Sequence, residues 1–147
     1  MKSTGKKSRQ LQEIAHGFSL DIIYAFGSQA KPVAELFQDK DQTAQLLLLQ
    51  GSDVDIAVKP HSKERLSVRE KVNLTMALED LFSVSRVDLV VLPEADPFLA
   101  ANVVRGERLY ERDKYLADEY ELYILRKAGD LAALERERIA IILGEDL

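Results

Sequence analysis

The stretch GSDVDIAV, residues 51–58, decides how this chain is organised. Residues 54–58 are β-branched and apolar enough to predict a buried strand. Asp53 and Asp55 stand two positions apart where this strand begins. Because side chains alternate across a strand with a period of two, both carboxylates are expected on the same face. The stretch therefore predicts a strand that carries two neighbouring acids, which could share one metal ion.

A third acid lies in another apolar stretch, RVDLVVL at residues 86–92. The pattern predicts a second strand over residues 87–92, in which Asp88 stands among valines and leucines. A carboxylate in such surroundings needs a partner, because burying an unpaired charge is costly. If the two strands are neighbours, Asp88 joins Asp53 and Asp55, and the three carboxylates repel one another unless divalent cations neutralise them. Oxygen ligands of this kind favour Mg²⁺ or Mn²⁺.

A third strand, predicted over residues 20–26 (LDIIYAF), ends in Gly27 and Ser28. A Gly–Ser turn that leads into a helix presents backbone N–H groups and a hydroxyl, which together form a cradle for an anion. A phosphate held at this turn and joined through Mg²⁺ to the acids describes a site for nucleotidyl transfer. In such a site two metal ions orient the attacking and leaving oxygens, and a carboxylate assists deprotonation of the attacking hydroxyl.

The rest of the chain predicts helices around these strands. Apolar spacing and helix-ending residues predict helices over 11–17, 33–37, 63–82, 97–104 and 114–143, and a short strand over 108–110. Asp96 and Pro97 form a cap and first turn, whereas Gly129 is a candidate break in the last helix. The alternation of helices and strands predicts a mixed α/β class.

Composition limits the classes of protein that remain. A length of 147 residues allows one ordinary domain. The absence of cysteine excludes disulfides and thiolate metal sites and favours a reducing, cytoplasmic location. A net charge of −5 argues against direct binding of nucleic acid through phosphate neutralisation. Apolar runs such as residues 22–26, 46–49 and 139–143 are far too short for a membrane span, so no membrane association is expected.

Three motifs together resemble a known family. They are YAFGSQA at 24–30, SDVDIAV at 52–58 and RVDLVVL at 86–92. As a set they resemble the minimal nucleotidyltransferase (MNT) domain of the polymerase-β-like nucleotidyltransferase superfamily, over about residues 20–113. The resemblance implies an α/β (α+β) palm-like fold, with a small mixed sheet flanked by helices and a long C-terminal helical region over 114–143. It also implies a single nucleotidyltransferase domain over residues 1–147.

The resemblance further implies a role for each site residue. In the superfamily the Gly–Ser turn holds the triphosphate, and the D-x-D acids and a third strand acid hold two Mg²⁺ ions. Carried over to this chain, Gly27, Ser28 and Ser52 bind the nucleotide, and Asp53, Asp55 and Asp88 are the catalytic metal ligands. Asp88 is also a candidate base. The implied cofactor is Mg²⁺, with Mn²⁺ as a substitute, and the implied substrate is ATP.

Two features depart from the family pattern. Residues 29–52 separate the turn from the acids, where the family commonly has a shorter stretch. An insertion over about residues 31–50 is therefore expected, which extends a helix or covers the site. The family also often places an arginine shortly after Gly–Ser, whereas this chain has Gln29, Ala30 and Lys31. Either Lys31 takes over a phosphate contact or the triphosphate is held less firmly.

A free-standing domain of this size resembles the antitoxin half of prokaryotic two-gene modules. The other half of these modules is a small helical HEPN ribonuclease, the toxin. The resemblance implies that the chain transfers AMP from ATP to a tyrosine of a HEPN partner and so silences it. Two alternatives stay open: a non-catalytic subunit that neutralises its partner sterically, and a small-molecule nucleotidyltransferase of the antibiotic-modifying kind. Enzymes of the latter kind usually add a substrate-binding domain.

Overall fold

The computed structural model describes residues 5–37 and 53–144. Within these ranges the chain forms five α-helices and four strands, which confirms the mixed α/β class. Their bounds are α1 Lys6–Gly17, β1 Leu20–Phe26, α2 Ala30–Glu35, β2 Asp53–Pro60, α3 Val68–Phe82, β3 Arg86–Val91, α4 Pro97–Val104, β4 Glu107–Glu111 and α5 Lys114–Leu143, with a short 3₁₀ turn at Leu92–Glu94. None of the helices in the described ranges is both long and apolar enough to cross a membrane.

The four strands form one mixed sheet in the order β3–β2–β1–β4. Strand β1 is antiparallel to both β2 and β4, whereas β2 and β3 are parallel. A parallel pair needs a crossover connection, which α3 provides here. Across the sheet, Phe26 pairs with Asp55, and Asp55 pairs with Asp88. The end of β1 and the beginnings of β2 and β3 therefore meet at one edge of the sheet.

Two core layers cover opposite faces of the sheet. Val54, Ile56 and Val58 of β2 pack in the layer formed with α1, α2 and α3. Ala57 packs with Ile22 of β1 in the second layer, which includes α4 and α5. Burial of each large aliphatic side chain contributes about 1.5–3 kcal/mol. This alternation along β2 determines on which face its polar residues lie.

The predicted start of α3 was wrong by several residues. The apolar pattern suggested a helix over 63–82, but the helix begins at Val68, after Ser67. The Ser67 hydroxyl accepts a hydrogen bond from the Glu70 backbone N–H at 3.1 Å, and the Glu70 carboxylate accepts one from the Ser67 N–H at 3.0 Å. This reciprocal capping box satisfies two helix-end donors and fixes the boundary.

The predicted start of α4 and the fourth strand are confirmed. Asp96 caps α4, since its carboxylate accepts hydrogen bonds from the backbone N–H groups of Phe98 and Leu99 at 2.9 and 3.0 Å. Pro97 occupies the first helical position, where its missing N–H costs nothing. The strand predicted over residues 108–110 is β4, one residue longer at each end.

The last helix is not broken at Gly129. Helix α5 runs without interruption for 30 residues, and the Asp113 carboxylate caps it by accepting from the Leu116 N–H at 3.0 Å. A glycine inside a helix costs about 1 kcal/mol relative to alanine, which packing can offset. Ile124 is buried in the second core layer and supplies such packing.

A polar network attaches α5 to the sheet. The Tyr24 hydroxyl on β1 donates to Glu121 of α5 at 2.5 Å, and the Arg108 Nε on β4 donates to the same carboxylate at 3.0 Å. Arg108 also donates to Asp118 at 2.7 Å and to Glu111. Burial raises the pKa of Tyr24, and the bond to Glu121 raises it further. The phenol therefore remains a neutral hydrogen-bond donor at neutral pH.

Candidate functional site

The three acids singled out by the sequence lie on the same face of the sheet. Val54 and Ile56 point into the first core layer, so the alternating Asp53 and Asp55 lie on the opposite face. The register of the parallel pair aligns Asp55 with Asp88. Neighbouring strands are about 4.8 Å apart, which brings aligned side chains within contact range. The structure thus assembles the acids from two strands at the edge where β1 ends.

The cluster carries unfavourable electrostatics in the metal-free protein. Partial burial raises the pKa of Asp55 above its ordinary value, and the negative charges of Asp88 and Asp53 raise it further. The nearby Arg86 acts in the opposite direction and lowers this pKa. Repulsion among carboxylates at close range is the condition that a bound cation relieves.

Gly27 follows β1 and packs directly against Asp55. Its φ of +75° lies in the left-handed region that favours glycine. A Cβ atom at this position would lie 2.5 Å from Oδ2 of Asp55, well inside van der Waals contact. The Ala30 N–H donates to the Gly27 carbonyl at 3.3 Å and closes the turn that contains Ser28. The positive φ therefore favours glycine in this turn, and the missing Cβ leaves room for the Asp55 carboxylate.

The remaining predicted nucleotide contacts are only partly described. Ser28 is exposed in the turn beside the acids, and Lys31 is exposed in α2. Helix α2 has six residues, so the turn itself, more than a helix dipole, supplies donors for an anion. Ser52 lies outside the described residues, as do residues 38–50 of the expected insertion.

Arg86 is a member of the site that the sequence analysis missed. It begins β3 opposite Asp53, and its Nε donates to Oδ1 of Asp88 at 3.0 Å. The available signal was the period-two spacing between Arg86 and Asp88, which puts both side chains on one face of the strand. The register with β2 then completes a group of four charged side chains.

The donor chemistry of this cluster fits a hard divalent cation. Asp53, Asp55 and Asp88 offer carboxylate oxygens alone, which suit Mg²⁺ or Mn²⁺. In the described part of the chain, no group of three or more His, Asp or Glu side chains is arranged to hold a metal ion as it stands. The three acids would hold the ion after side-chain adjustment. Such an ion, when bound, stabilises the charge that develops in phosphoryl transfer.

Comparison with known families identifies the class of protein. A family model described as "Polymerase beta, Nucleotidyltransferase" matches residues 9–115, a range that contains the Gly–Ser turn and all three acids. The chain belongs to this family of nucleotidyltransferases. A nucleotide substrate and a divalent metal are general features of the class. A search of curated proteins gives no significant match.

Solved structures confirm the fold. A chain of a toxin–antitoxin complex crystallised with AMP-PNP is 22% identical, with a TM-score of 0.64 over 92% of this chain and 98% of that one. A second neighbour comes from the complex of a tri-AMPylated HEPN toxin of Shewanella oneidensis with an MNT antitoxin. It is 20% identical, with a TM-score of 0.61 over 93% of this chain and 96% of that one. The predicted nucleotidyltransferase fold is therefore correct.

Proposed function

We propose that the chain is a Mg²⁺-dependent nucleotidyltransferase that acts as an antitoxin, by transferring AMP from ATP to a tyrosine of a HEPN ribonuclease partner. The observation that carries the proposal is the alignment of Asp55 with Asp88 across β2 and β3, with Asp53 on the same face. Gly27 holds the Gly–Ser turn against this cluster. Acids for a divalent cation and a turn for phosphates thus lie side by side.

The structural neighbours support the choice of donor and acceptor. One of them is a toxin–antitoxin complex with AMP-PNP, an analogue of ATP. Another contains a HEPN toxin that carries AMP groups, bound to an MNT antitoxin. One chain of each complex shares the fold of this chain over more than nine-tenths of its length. ATP as donor and a HEPN protein as acceptor are therefore the first substrates to test.

The proposed reaction balances as a single displacement at phosphorus. The phenolic oxygen of the acceptor tyrosine attacks the α-phosphorus of ATP and forms a new P–O ester bond. The bond between the α-phosphorus and the oxygen that bridges to the β-phosphate breaks, and pyrophosphate leaves. The phenolic proton passes to a carboxylate of the cluster, for which Asp88 is the candidate, and then to water.

Each predicted residue has a task in this reaction. The backbone N–H groups of the Gly27–Ser28 turn and the Ser28 hydroxyl would donate to the triphosphate. Ser52, next to Asp53 in the sequence, would add a further hydroxyl, and Lys31 would contribute a positive charge. Asp53, Asp55 and Asp88 would hold Mg²⁺ and thereby position the α-phosphate for in-line attack.

Intact-mass analysis tests the proposal. The HEPN protein that co-purifies with this chain would be incubated with ATP and Mg²⁺, together with wild type or Asp53→Asn/Asp55→Asn. A control variant, Asp130→Asn/Glu137→Gln, removes the same charge from exposed positions of α5. We expect the partner to gain the mass of one or more AMP groups with wild type and the control only. A partner that binds but never gains mass would contradict the proposal.

A non-catalytic antitoxin is the second candidate, and one observation favours it. Arg86 already occupies Asp88, to whose Oδ1 its Nε donates at 3.0 Å. In this case the chain would neutralise its partner by covering it. Normal neutralisation by the triple variant Asp53→Asn/Asp55→Asn/Asp88→Asn would support this candidate. Loss of neutralisation with retained binding would exclude it.

A further inference from the structure

Four charged side chains occupy neighbouring positions at the beginning of the parallel strand pair. Asp53 pairs with Arg86, and Asp55 pairs with Asp88, in the β2–β3 register. The two residues of each strand are separated by two positions, so all four lie on the same face of the sheet. The strand register therefore places Arg86 within the acid cluster, opposite Asp53.

The Arg86 guanidinium already satisfies one acid of the cluster. Its Nε donates to Oδ1 of Asp88 at 3.0 Å. Arg86 also lies directly opposite Asp53 in the β2–β3 register, so its positive charge stands beside the other acids of the cluster. In the metal-free protein Arg86 thus performs electrostatically part of what a bound cation would do.

The pair is accessible to solvent and can be broken at low cost. The Arg86 side chain is 65% exposed and that of Asp88 is 41% exposed. Exposed ion pairs are typically worth 1 kcal/mol or less, because water competes for both partners. A divalent cation held by these acids would be attracted to them more strongly than the guanidinium is, because it carries twice the charge. A divalent cation is therefore expected to displace the Arg86 guanidinium from Asp88.

We propose that Arg86 is the built-in counter-cation of this site: it occupies Asp88 in the metal-free protein and leaves this carboxylate when a divalent cation binds. Its guanidinium then stays at the edge of the site with its donors free. The exchange transfers Asp88 from the arginine to the metal ion. Its significance for catalysis rests on the proposed function, but the exchange itself needs neither nucleotide nor partner.

Titration with Mn²⁺ in the absence of nucleotide tests the exchange. The electron paramagnetic resonance signal of free Mn²⁺ would be followed for wild type, Arg86→Gln, Arg86→Lys and Arg138→Gln. Arg138 is a matched control, since its side chain is 66% exposed and it pairs with Glu135 at 2.9 Å. We expect Arg86→Gln to bind Mn²⁺ roughly three- to tenfold more tightly, because removing one positive charge beside the ion removes both competition and repulsion. Arg138→Gln should match wild type.

A second readout does not involve bound metal. In EDTA the melting temperature of Arg86→Gln should fall below that of wild type by a few degrees, since the acids lose their counter-cation. Arg86→Lys keeps the charge and should lose less, and Arg138→Gln should be unchanged. Unchanged or weaker Mn²⁺ binding by Arg86→Gln would overturn the inference, because a guanidinium that competes with the metal cannot be removed without effect.

A third measurement uses the wild-type protein and is independent of whether a variant folds. Phenylglyoxal modifies accessible arginines, and peptide mapping would give the rate at Arg86 with Arg138 as internal standard. We expect Mg²⁺ to raise the rate at Arg86 at least twofold and to leave Arg138 unchanged. If Mn²⁺ binds but the modification rate at Arg86 does not change, the inference is overturned and the proposed function is unaffected. Failure of wild type to bind Mn²⁺ in the absence of nucleotide overturns the inference but not the proposed function, because the phosphates of ATP also supply ligands to the metal ion.

Discussion

Asp55 on β2 lies directly opposite Asp88 on β3, in a parallel pair whose other face is packed with valine and isoleucine. The backbone register therefore brings two like charges together. The apolar packing on the other face of the sheet does not depend on these acids. Such an arrangement lowers the stability of the metal-free protein and is typical of functional sites. Removal of one of these acids should consequently raise the stability of the metal-free protein and lower its metal-dependent activity.

Replacement of Asp55 by Asn should stabilise the metal-free protein. Burial and the charges of Asp88 and Asp53 raise the pKa of Asp55 in the folded state. A raised pKa favours folding at low pH, and this contribution is lost as pH rises through the folded-state pKa. At pH 7 in EDTA, calorimetry should give Asp55→Asn a melting temperature a few degrees above wild type, with a smaller gap at pH 3. An equal or lower melting temperature at pH 7 would contradict the electrostatic account.

Gly27→Ala should lower the free energy of unfolding and weaken the binding of Mn²⁺. The φ of +75° costs alanine about 1–2 kcal/mol, and the new Cβ would collide with Asp55 Oδ2. Gly144→Ala is a matched control, because its φ is +71° but no atom lies within 4 Å of the added Cβ. Urea unfolding and Mn²⁺ titration should give a larger loss of stability for Gly27→Ala, with weakened Mn²⁺ binding in this variant only. Equal effects of the two substitutions would show that contact with Asp55 is unimportant.

The sequence predicts the acids and the turn because their signals are local. Period-two spacing in VDIAV and a glycine after an apolar strand are readable without tertiary structure. The participation of Arg86 was not predicted, since it depends on which strand lies beside β2 and in what register. The start of α3 at Val68 was missed because the apolar pattern, which includes Leu66, extends to the N-terminal side of the capping box at which the helix begins. The helical continuity at Gly129 accords with the burial of the neighbouring Ile124 and Ala128 in the second core layer, which overrides local propensity.

Tyr24→Phe should destabilise the protein by about 1–2 kcal/mol, because it removes a buried hydrogen bond to a carboxylate. The Tyr24 side chain is fully buried and its hydroxyl donates to Glu121 at 2.5 Å. Tyr115→Phe is the control: its hydroxyl also donates to a glutamate, Glu119 at 2.8 Å, but the residue is 68% exposed. Chemical denaturation should give less than about 0.5 kcal/mol for the control. Equal losses would mean that the network does not hold α5 to the sheet.

Asp21→Asn should cost stability at neutral pH and little in acid. Burial raises the pKa of Asp21, but hydrogen bonds from Lys59 and His61 outweigh it and hold the pKa below its ordinary value of 3.8. A lowered pKa contributes stability above 3.8 that is lost as pH falls through the folded-state pKa. Urea unfolding at pH 7 should give a loss of about 1 kcal/mol, which shrinks progressively below pH 3.8. A loss of the same size at pH 7 and well below pH 3.8 would show that Asp21 stabilises the protein through packing and not through its charge.

Nucleotidyl transfer at the acid cluster is most directly tested with ATP labelled at a defined phosphate. The HEPN partner would be incubated with this chain, Mg²⁺ and ATP carrying its label at either the α- or the γ-phosphate. The account predicts that label enters the partner from the α-position only, and that Asp53→Asn/Asp55→Asn abolishes this incorporation. Incorporation from the γ-position, or α-label transfer that persists without the two acids, would contradict it.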